Sequence, residues 1–354
     1  MLARSAICLL LCLAALLFGC KHDATNLDAK PGPDAAEEPV QPNFIFPTKN
    51  RFLLDENGSE LFFARTAATK HWSSGAFGCV RNSQTRLHEG IDIASIEHDE
   101  NGEPTDPVTA IFHGEVAHIN RNTAASNYGK YVVLRHSLDG FSFYSMYGHL
   151  NKIHANIRVG IKMDTGNELG ILGRTTNTRD KIERWRAHLH FEIGIQLNSR
   201  FKEWFNTWYK DGINRHDNWN GLNLLGLDGA AILVKDQAAM MDFVSHLKTE
   251  PVLCRVRVNQ NEIDFIERHQ QLCKNPNPQE EPIAWDISFN FLGIPTRAEA
   301  VFEPQTNTKI NYKLLSVNER VHNQHPCSGL VFKKGQSWVL TSKGQRLMDL
   351  LIFH

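Results

Sequence analysis

Several absences narrow the reading of this chain before any motif is considered. No C-x-x-C spacing occurs, which argues against a cysteine-built structural zinc site. No H-E-x-x-H occurs either, so the helix-borne metalloprotease site with a glutamate base is missing. Lys and Arg number 38 against 39 Asp and Glu, for a formal net charge of −1. With no basic stripe, nucleic acid is not an expected partner. After the N-terminal apolar run there is no second one long enough to span a bilayer. Internal repeats are absent, and so are low-complexity tracts beyond one short polar segment near the N-terminus. What remains is ordinary globular material, 42% hydrophobic and 22% charged.

The N-terminal run extends from Ile7 to Phe18 behind Arg4, and is too short to cross a membrane. It closes Leu17-Phe18-Gly19-Cys20, which resembles a bacterial lipobox with Cys20 as the acylated first residue. Residues 1–19 are then expected to be a lipoprotein signal peptide. Residues 20–43 would be the acylated cysteine and a flexible tether, since Asp, Glu, Ala, Pro and Gly dominate there. By analogy with lipoprotein sorting, Lys21 favours the periplasmic face of the outer membrane. The expected location is the cell envelope, with the membrane contacted through the lipid anchor alone.

The remaining residues, more than 300, suffice for a large core and two domains. Four cysteines follow Cys20, an even number in a chain expected to be exported, which suggests two disulfides with three pairings. The local pairing is Cys254 with Cys273, leaving Cys79 to reach Cys327 and join the two domains. Free buried thiols are the alternative.

The segment from His88 to Glu192 organises the rest. It opens His88-Glu89-Gly90-Ile91-Asp92, passes through Tyr147-Gly148-His149-Leu150 and closes His188-Leu189-His190-Phe191-Glu192. As a strand, the last piece puts His188, His190 and Glu192 on one face and Leu189, Phe191 and Ile193 on the other. Two residues' rise separates the imidazoles by roughly 6.5–7 Å, suited to one metal ligand beside one catalytic group. His88 and Asp92 in a straight strand would lie about 13 Å apart, too far for one cation to bridge. The chain must therefore bend between them, and Gly90 is the residue that permits it. A His/Asp pair plus a His gives three protein ligands and an open fourth position, the composition of a catalytic zinc site.

These three motifs, in this order, resemble the lysostaphin/LytM-type zinc metallopeptidases that cut peptidoglycan cross-bridges. The likeness covers roughly Gly75 to Ile195, including Phe77-Gly78, Gly114-Glu115-Val116 and Tyr128-Gly129-Lys130-Tyr131-Val132-Val133. It implies His88, Asp92 and His190 as ligands to one Zn2+ per chain, and His149 and His188 as the catalytic pair. It also implies a mainly β catalytic domain of antiparallel sheets over residues 75–212. Residues 44–74 would form an N-terminal extension and 213–354 a C-terminal α+β accessory domain. The implied activity is zinc-dependent endopeptidase hydrolysis of peptidoglycan stem-peptide cross-links. A catalytically inactive wall-binding or amidase-activating lipoprotein and a zinc peptidase acting on a protein substrate are the alternatives, and a regulatory protein is a further candidate partner.

Histidines with a pKa near 6.5 suit proton transfer at neutral pH, and without an H-E-x-x-H motif the base and oxyanion roles fall to them. His188 is the candidate base, and His149 orients the water or donates to the oxyanion, a division the sequence leaves open. Glu192 is either a partner of a ligand imidazole or an exposed carboxylate. His98, His113, His118, His136 and His154 are read as structural.

Other segments carry weaker signals. Leu61-Phe62-Phe63 suggests a strand within an extension that either packs beside the sheet or covers the groove. Ser95–Asp106 and Thr175–Ala187 are longer than in relatives and would border the groove if they are more than solvated loops. Trp204, Trp208 and Tyr209 are packing residues or sugar-stacking ones. Helices are expected at Asp236–Leu247, Asp264–Cys273 and Ser342–Leu351, the last capped by Ser342, and a strand at Trp285–Phe291.

Overall fold

Period-two alternation between Gly114 and Gln196 is what builds the main sheet. The computed structural model describes residues 44–238, 242–303 and 311–354; the proposed signal peptide, Cys20 and tether lie outside them. The sheet runs, strand beside strand, Leu224–Leu227, His188–Gln196, Phe141–Gly148, Tyr131–Leu138, Gly114–Asn120 and Lys162–Met163. All these pairings are antiparallel. Ile91–Ala94 also pairs with His188–Gln196. It covers the first half of the edge whose second half Leu224–Leu227 takes. The main sheet therefore does not stop at residue 212, as the expected boundary had it.

One face of His188–Gln196 sends Leu189, Phe191, Ile193 and Ile195 into the main core, each fully buried. Side chains of that size stabilise by about 1.5–3 kcal/mol apiece. The other face belongs to a smaller cluster of Tyr131, Val133, Tyr144, Met146 and Leu224, which floors a groove. A three-stranded antiparallel sheet of Pro107–Thr109, Glu168–Ile171 and Lys152–Ile153 lies separately, as do the hairpins Gly78–Arg81/Arg86–His88 and Val331–Lys334/Ser337–Leu340.

The N-terminal extension is part of the core. Phe44 is fully buried against Phe112, Phe143 and Phe243, and its backbone N–H donates to Asp236 at 2.6 Å. No residue between 44 and 74 lines the groove. The strand expected at Leu61–Phe63 is instead a short helix, Ser59–Phe62, followed by a single bridge from Phe63 to Ile93. Burial of Phe62 and Phe63 on the core decides that geometry over alternation.

The C-terminal part is α+β. A five-stranded sheet runs Cys273–Lys274, Pro295–Val301, Ala284–Phe289, Cys254–Val258 and Tyr312–Val317, with only the first pairing parallel. The single helix expected over Asp236–Leu247 is two, Gly229–Ala238 and Phe243–Thr249, the second capped by Asp242 accepting from the Ser245 N–H. Asp264–Arg268 is helical, Gln270–Leu272 is a 3-10 turn, and Cys273 has passed into a strand. The terminal helix Ser342–Leu351 matches expectation, but its cap is Thr341, whose hydroxyl accepts from the Gly344 N–H at 3.0 Å.

Cys79 and Cys327 form a disulfide across 248 residues of sequence. Cys254 and Cys273 do not pair: two strands of their sheet, Ala284–Phe289 and Pro295–Val301, lie between them. Trp204 is buried by packing, whereas Trp208 stacks on it at 5.6 Å between ring centres and is 47% exposed. Among the described residues no helix is long and apolar enough to cross a membrane.

Candidate metal centre and groove

Asp92 is directly opposite His190 in the pairing of Ile91–Ala94 with His188–Gln196. His88 ends the preceding strand, Arg86–His88, and the chain turns at Glu89-Gly90 between the two. A β-carbon on Gly90 would sit 2.4 Å from the Phe191 carbonyl oxygen and 2.8 Å from Glu192 Cγ. The glycine is thus required by close approach of the two strands.

The result is a triangle of donor atoms. His88 Nε2 lies 3.2 Å from Asp92 Oδ1, which lies 3.1 Å from His190 Nδ1, and the two nitrogens are 3.3 Å apart. Three ligands at about 2.1 Å around a tetrahedral cation are separated by about 3.4 Å, so this donor set fits one. No other His, Cys, Asp or Glu cluster of ligand spacing occurs among the described residues.

Each imidazole has its tautomer set by the partner of its other nitrogen. His88 Nδ1 is 2.7 Å from the Ala76 carbonyl, which can only accept, so the proton is on Nδ1; the Nε2 lone pair, which accepts from Arg81 Nη2 at 3.0 Å, is the one that would ligate. His190 is held the other way round. Its Nε2 donates to Glu192 Oε1 at 3.0 Å, while the Tyr144 hydroxyl donates to Glu192 Oε2 at 2.7 Å. Glu192 is buried, which resolves the choice left open by the sequence in favour of a partner for the imidazole.

His188 and His149 stand on the remaining side, their ring centres 4.8 Å apart. His188 Nδ1 donates to the Arg186 carbonyl at 2.6 Å and His149 Nδ1 to the Thr175 carbonyl at 2.7 Å. Both Nε2 atoms therefore carry lone pairs. His149 follows the last residue of Phe141–Gly148 with φ of 59°, left-handed backbone fixed by its N–H to the Tyr128 carbonyl at 2.8 Å. The structure brings together all five residues singled out in the sequence. His98, His113, His118, His136 and His154 do not line the groove.

The electrostatics follow burial and neighbours. Burial alone would raise Asp92, but His88, His188 and His190 around it hold its carboxyl well below the usual range. Burial lowers His149, helped by His188 and His190. It also lowers His188, against the pull of Asp92, so both are neutral at neutral pH. For His190 burial is outweighed by hydrogen bonds to Asp92 and Glu192, and the ring is raised to about 9.

Four features of the site were missed in the sequence. Arg81 donates through Nη2 to Asp92 Oδ2 and through Nε to the Ser74 carbonyl at 3.0 Å. The Tyr128 ring stacks on His190 at 4.6 Å. His216 lines the groove, with Nδ1 2.6 Å from the Tyr131 hydroxyl. Glu103 forms a bidentate pair with Arg174 at 2.6 and 2.8 Å and also binds Arg184 at 3.0 Å. The two long loops thus differ in role. Thr175–Ala187 contributes Thr176, Asn177, Thr178, Ile182 and Arg186 to the groove, whereas Ser95–Asp106 contributes none and braces its neighbour through Glu103. No spacing in the sequence signals any of these, because each depends on loop placement.

A buried His/Asp/His donor set facing a groove has the composition of a three-ligand metal site with a position left open. Residues 86–201 match the model of peptidase family M23, a span that contains all five site residues. That span, about a third of the chain, is the part that resembles peptidase family M23. Among solved structures it is similar to a protein assigned to peptidase M23 from Pseudomonas aeruginosa, at 26% identity and a TM-score of 0.22, covering 30% of this chain and 37% of that one. The catalytic domain of lysostaphin from Staphylococcus simulans is 24% identical, covering 34% of this chain and 74% of that one, with a TM-score of 0.24. A zinc-containing peptidase from Vibrio cholerae is 23% identical, covering 38% and 36% respectively, with a TM-score of 0.25. No curated protein matches the chain.

Proposed function

We propose that this chain is a zinc-dependent endopeptidase that hydrolyses peptide cross-links of bacterial peptidoglycan, with one Zn2+ per chain. The observation that carries the reading is the donor triangle of His88 Nε2, Asp92 Oδ1 and His190 Nδ1, with edges of 3.1–3.3 Å. His88, Asp92 and His190 would hold the zinc, which would supply Lewis acidity and activation of water there. His188 takes the proton of the attacking water on Nε2, the neutral lone pair left by its bond to Arg186. His149 orients that water or donates to the oxyanion, its ring fixed by Thr175. Glu192 and Tyr144 hold His190 in its ligating tautomer. The substrate side is a groove of about 630 Å³ floored by Tyr131, Met146 and Leu224.

The same reading places the protein in the cell envelope, anchored by lipid at Cys20 to the periplasmic face of the outer membrane, with stem peptides as its partner. A separate regulatory protein partner is compatible with the size of the C-terminal part. Metal analysis of the full chain should give one zinc per chain, lost in His190→Ala. Zinc-loaded protein incubated with purified sacculi should convert cross-linked muropeptides to monomers by mass. Unchanged muropeptides would instead support a wall-binding role, and cleavage of proteins alone a protein substrate.

A further inference from the structure

The groove and its surroundings are unevenly charged. Arg81, Arg86 and Arg186 all line it. Asp92 and Glu192, two of its three acids, are already engaged, by three imidazoles and Arg81 in one case and by His190 and Tyr144 in the other. Glu89 is the third. It also lines a neighbouring cleft of about 180 Å³ together with Lys343 and Arg346, and the two cavities share Glu89, Gly221 and Leu224 in their walls. Metal groove and cleft are thus neighbours across these residues. Between them they present five cations, against one acid not already held by its own neighbours.

Those cations are only partly committed. Arg86 and Arg346 make no ion pair among the described residues, and Arg86 is exposed. Arg346 has one long contact, 3.4 Å to the Tyr209 hydroxyl. Lys343 donates to the Ser328 carbonyl at 2.6 Å and keeps two further N–H groups. Arg81 is fixed through Nε and Nη2, which leaves Nη1 without a hydrogen bond at a side chain that is 27% exposed. Guanidinium groups with spare N–H donors, fixed in a concave wall, bind carboxylates with the strong charge-assisted geometry.

We propose that the metal groove selects an anionic peptide, taking one carboxylate beside the scissile bond on Arg81 and Arg86 and extending along the cleft to Arg346 and Lys343. The inference rests on the reading of the site as one for stem peptides, and it narrows the substrate to their free-acid form. Arg81 precedes the segment that matches the peptidase family and the terminal helix Ser342–Leu351 follows it. The C-terminal part then acts in substrate selection, by walling the cleft beside the groove.

The test measures binding and cleavage separately. A cross-linked muropeptide dimer with free side-chain carboxylates and the same dimer amidated are titrated into zinc-loaded full-length protein carrying His188→Ala. The free acid should bind about tenfold or more tightly, with a preference that shrinks as salt is raised. Arg86→Gln and Arg346→Gln together should reduce that preference to near parity with zinc content unchanged, while Arg158→Gln, outside both cavities, should not. Equal binding of the two dimers, binding of neither, or a preference unmoved by the double substitution overturns the inference. The cleavage arm uses protein with His188 intact. Acid-selective binding without cleavage would sink the endopeptidase reading and leave the selection of anions standing. Equal cleavage of both dimers would do the reverse.

Discussion

Glu192 carries the outer nitrogen of His190: its Oε1 lies 3.0 Å from Nε2, two residues along the same strand face. The Tyr144 hydroxyl secures the other carboxylate oxygen at 2.7 Å. A ligand imidazole backed by a buried carboxylate is oriented and made more basic. Glu192→Gln should therefore weaken zinc binding about 10–100-fold, measured by competition with a chromogenic chelator, with little change in the far-ultraviolet dichroism.

Ligand and catalyst should separate cleanly. His149→Ala should retain one zinc and lose turnover by about 10²–10⁴-fold, whereas His190→Ala should lose the metal itself. Zinc loss in His149→Ala would show that this histidine ligates, contrary to the donor triangle from which it stands apart.

Glu103 touches no groove atom yet holds Arg174 and Arg184 at either end of the Thr175–Ala187 loop. Glu103→Gln should raise KM about threefold to tenfold with little change in kcat, because the loop lines the groove without carrying the proton-transfer groups. Amide exchange should rise over residues 176–186 and nowhere near His88. An unchanged exchange pattern would show that the loop is held by something else.

Acid stability gives a prediction away from the metal. Burial lowers His136 from 6.5 to about 4, with its Nδ1 donating to the His113 carbonyl and its Nε2 2.7 Å from Ser145 Oγ. Below pH 6.5 the unfolded chain binds the proton and the folded one does not, so stability falls as pH drops from 6.5 towards 4. The full loss is about 3 kcal/mol for this group. His136→Asn should be less stable at pH 7 but show a shallower fall of Tm between those limits. A slope equal to that of the unsubstituted protein would remove His136 from the account.

The site's chemistry was legible in the sequence because it sits on regular elements. Period two in His188–Gln196 placed His188, His190 and Glu192 on one face, and Gly90 between His88 and Asp92 signalled the bend that the strand pairing then required. Short C-terminal elements were read less well. A break at Asp242 or a cap at Thr341 instead of Ser342 turns on a single side-chain hydrogen bond.

The sequence alone determined which donor atoms exist and which residues alternate towards the core, since both follow from residue type and backbone period. Tertiary structure decided everything that needs two distant segments to meet. Cys79 reaches Cys327 while Cys254 and Cys273 stay apart, Arg81 lands on Asp92, and Glu103 braces a loop more than 70 residues further on. Such contacts are set by loop paths and the packing of whole sheets, for which no local spacing in a chain carries a signal.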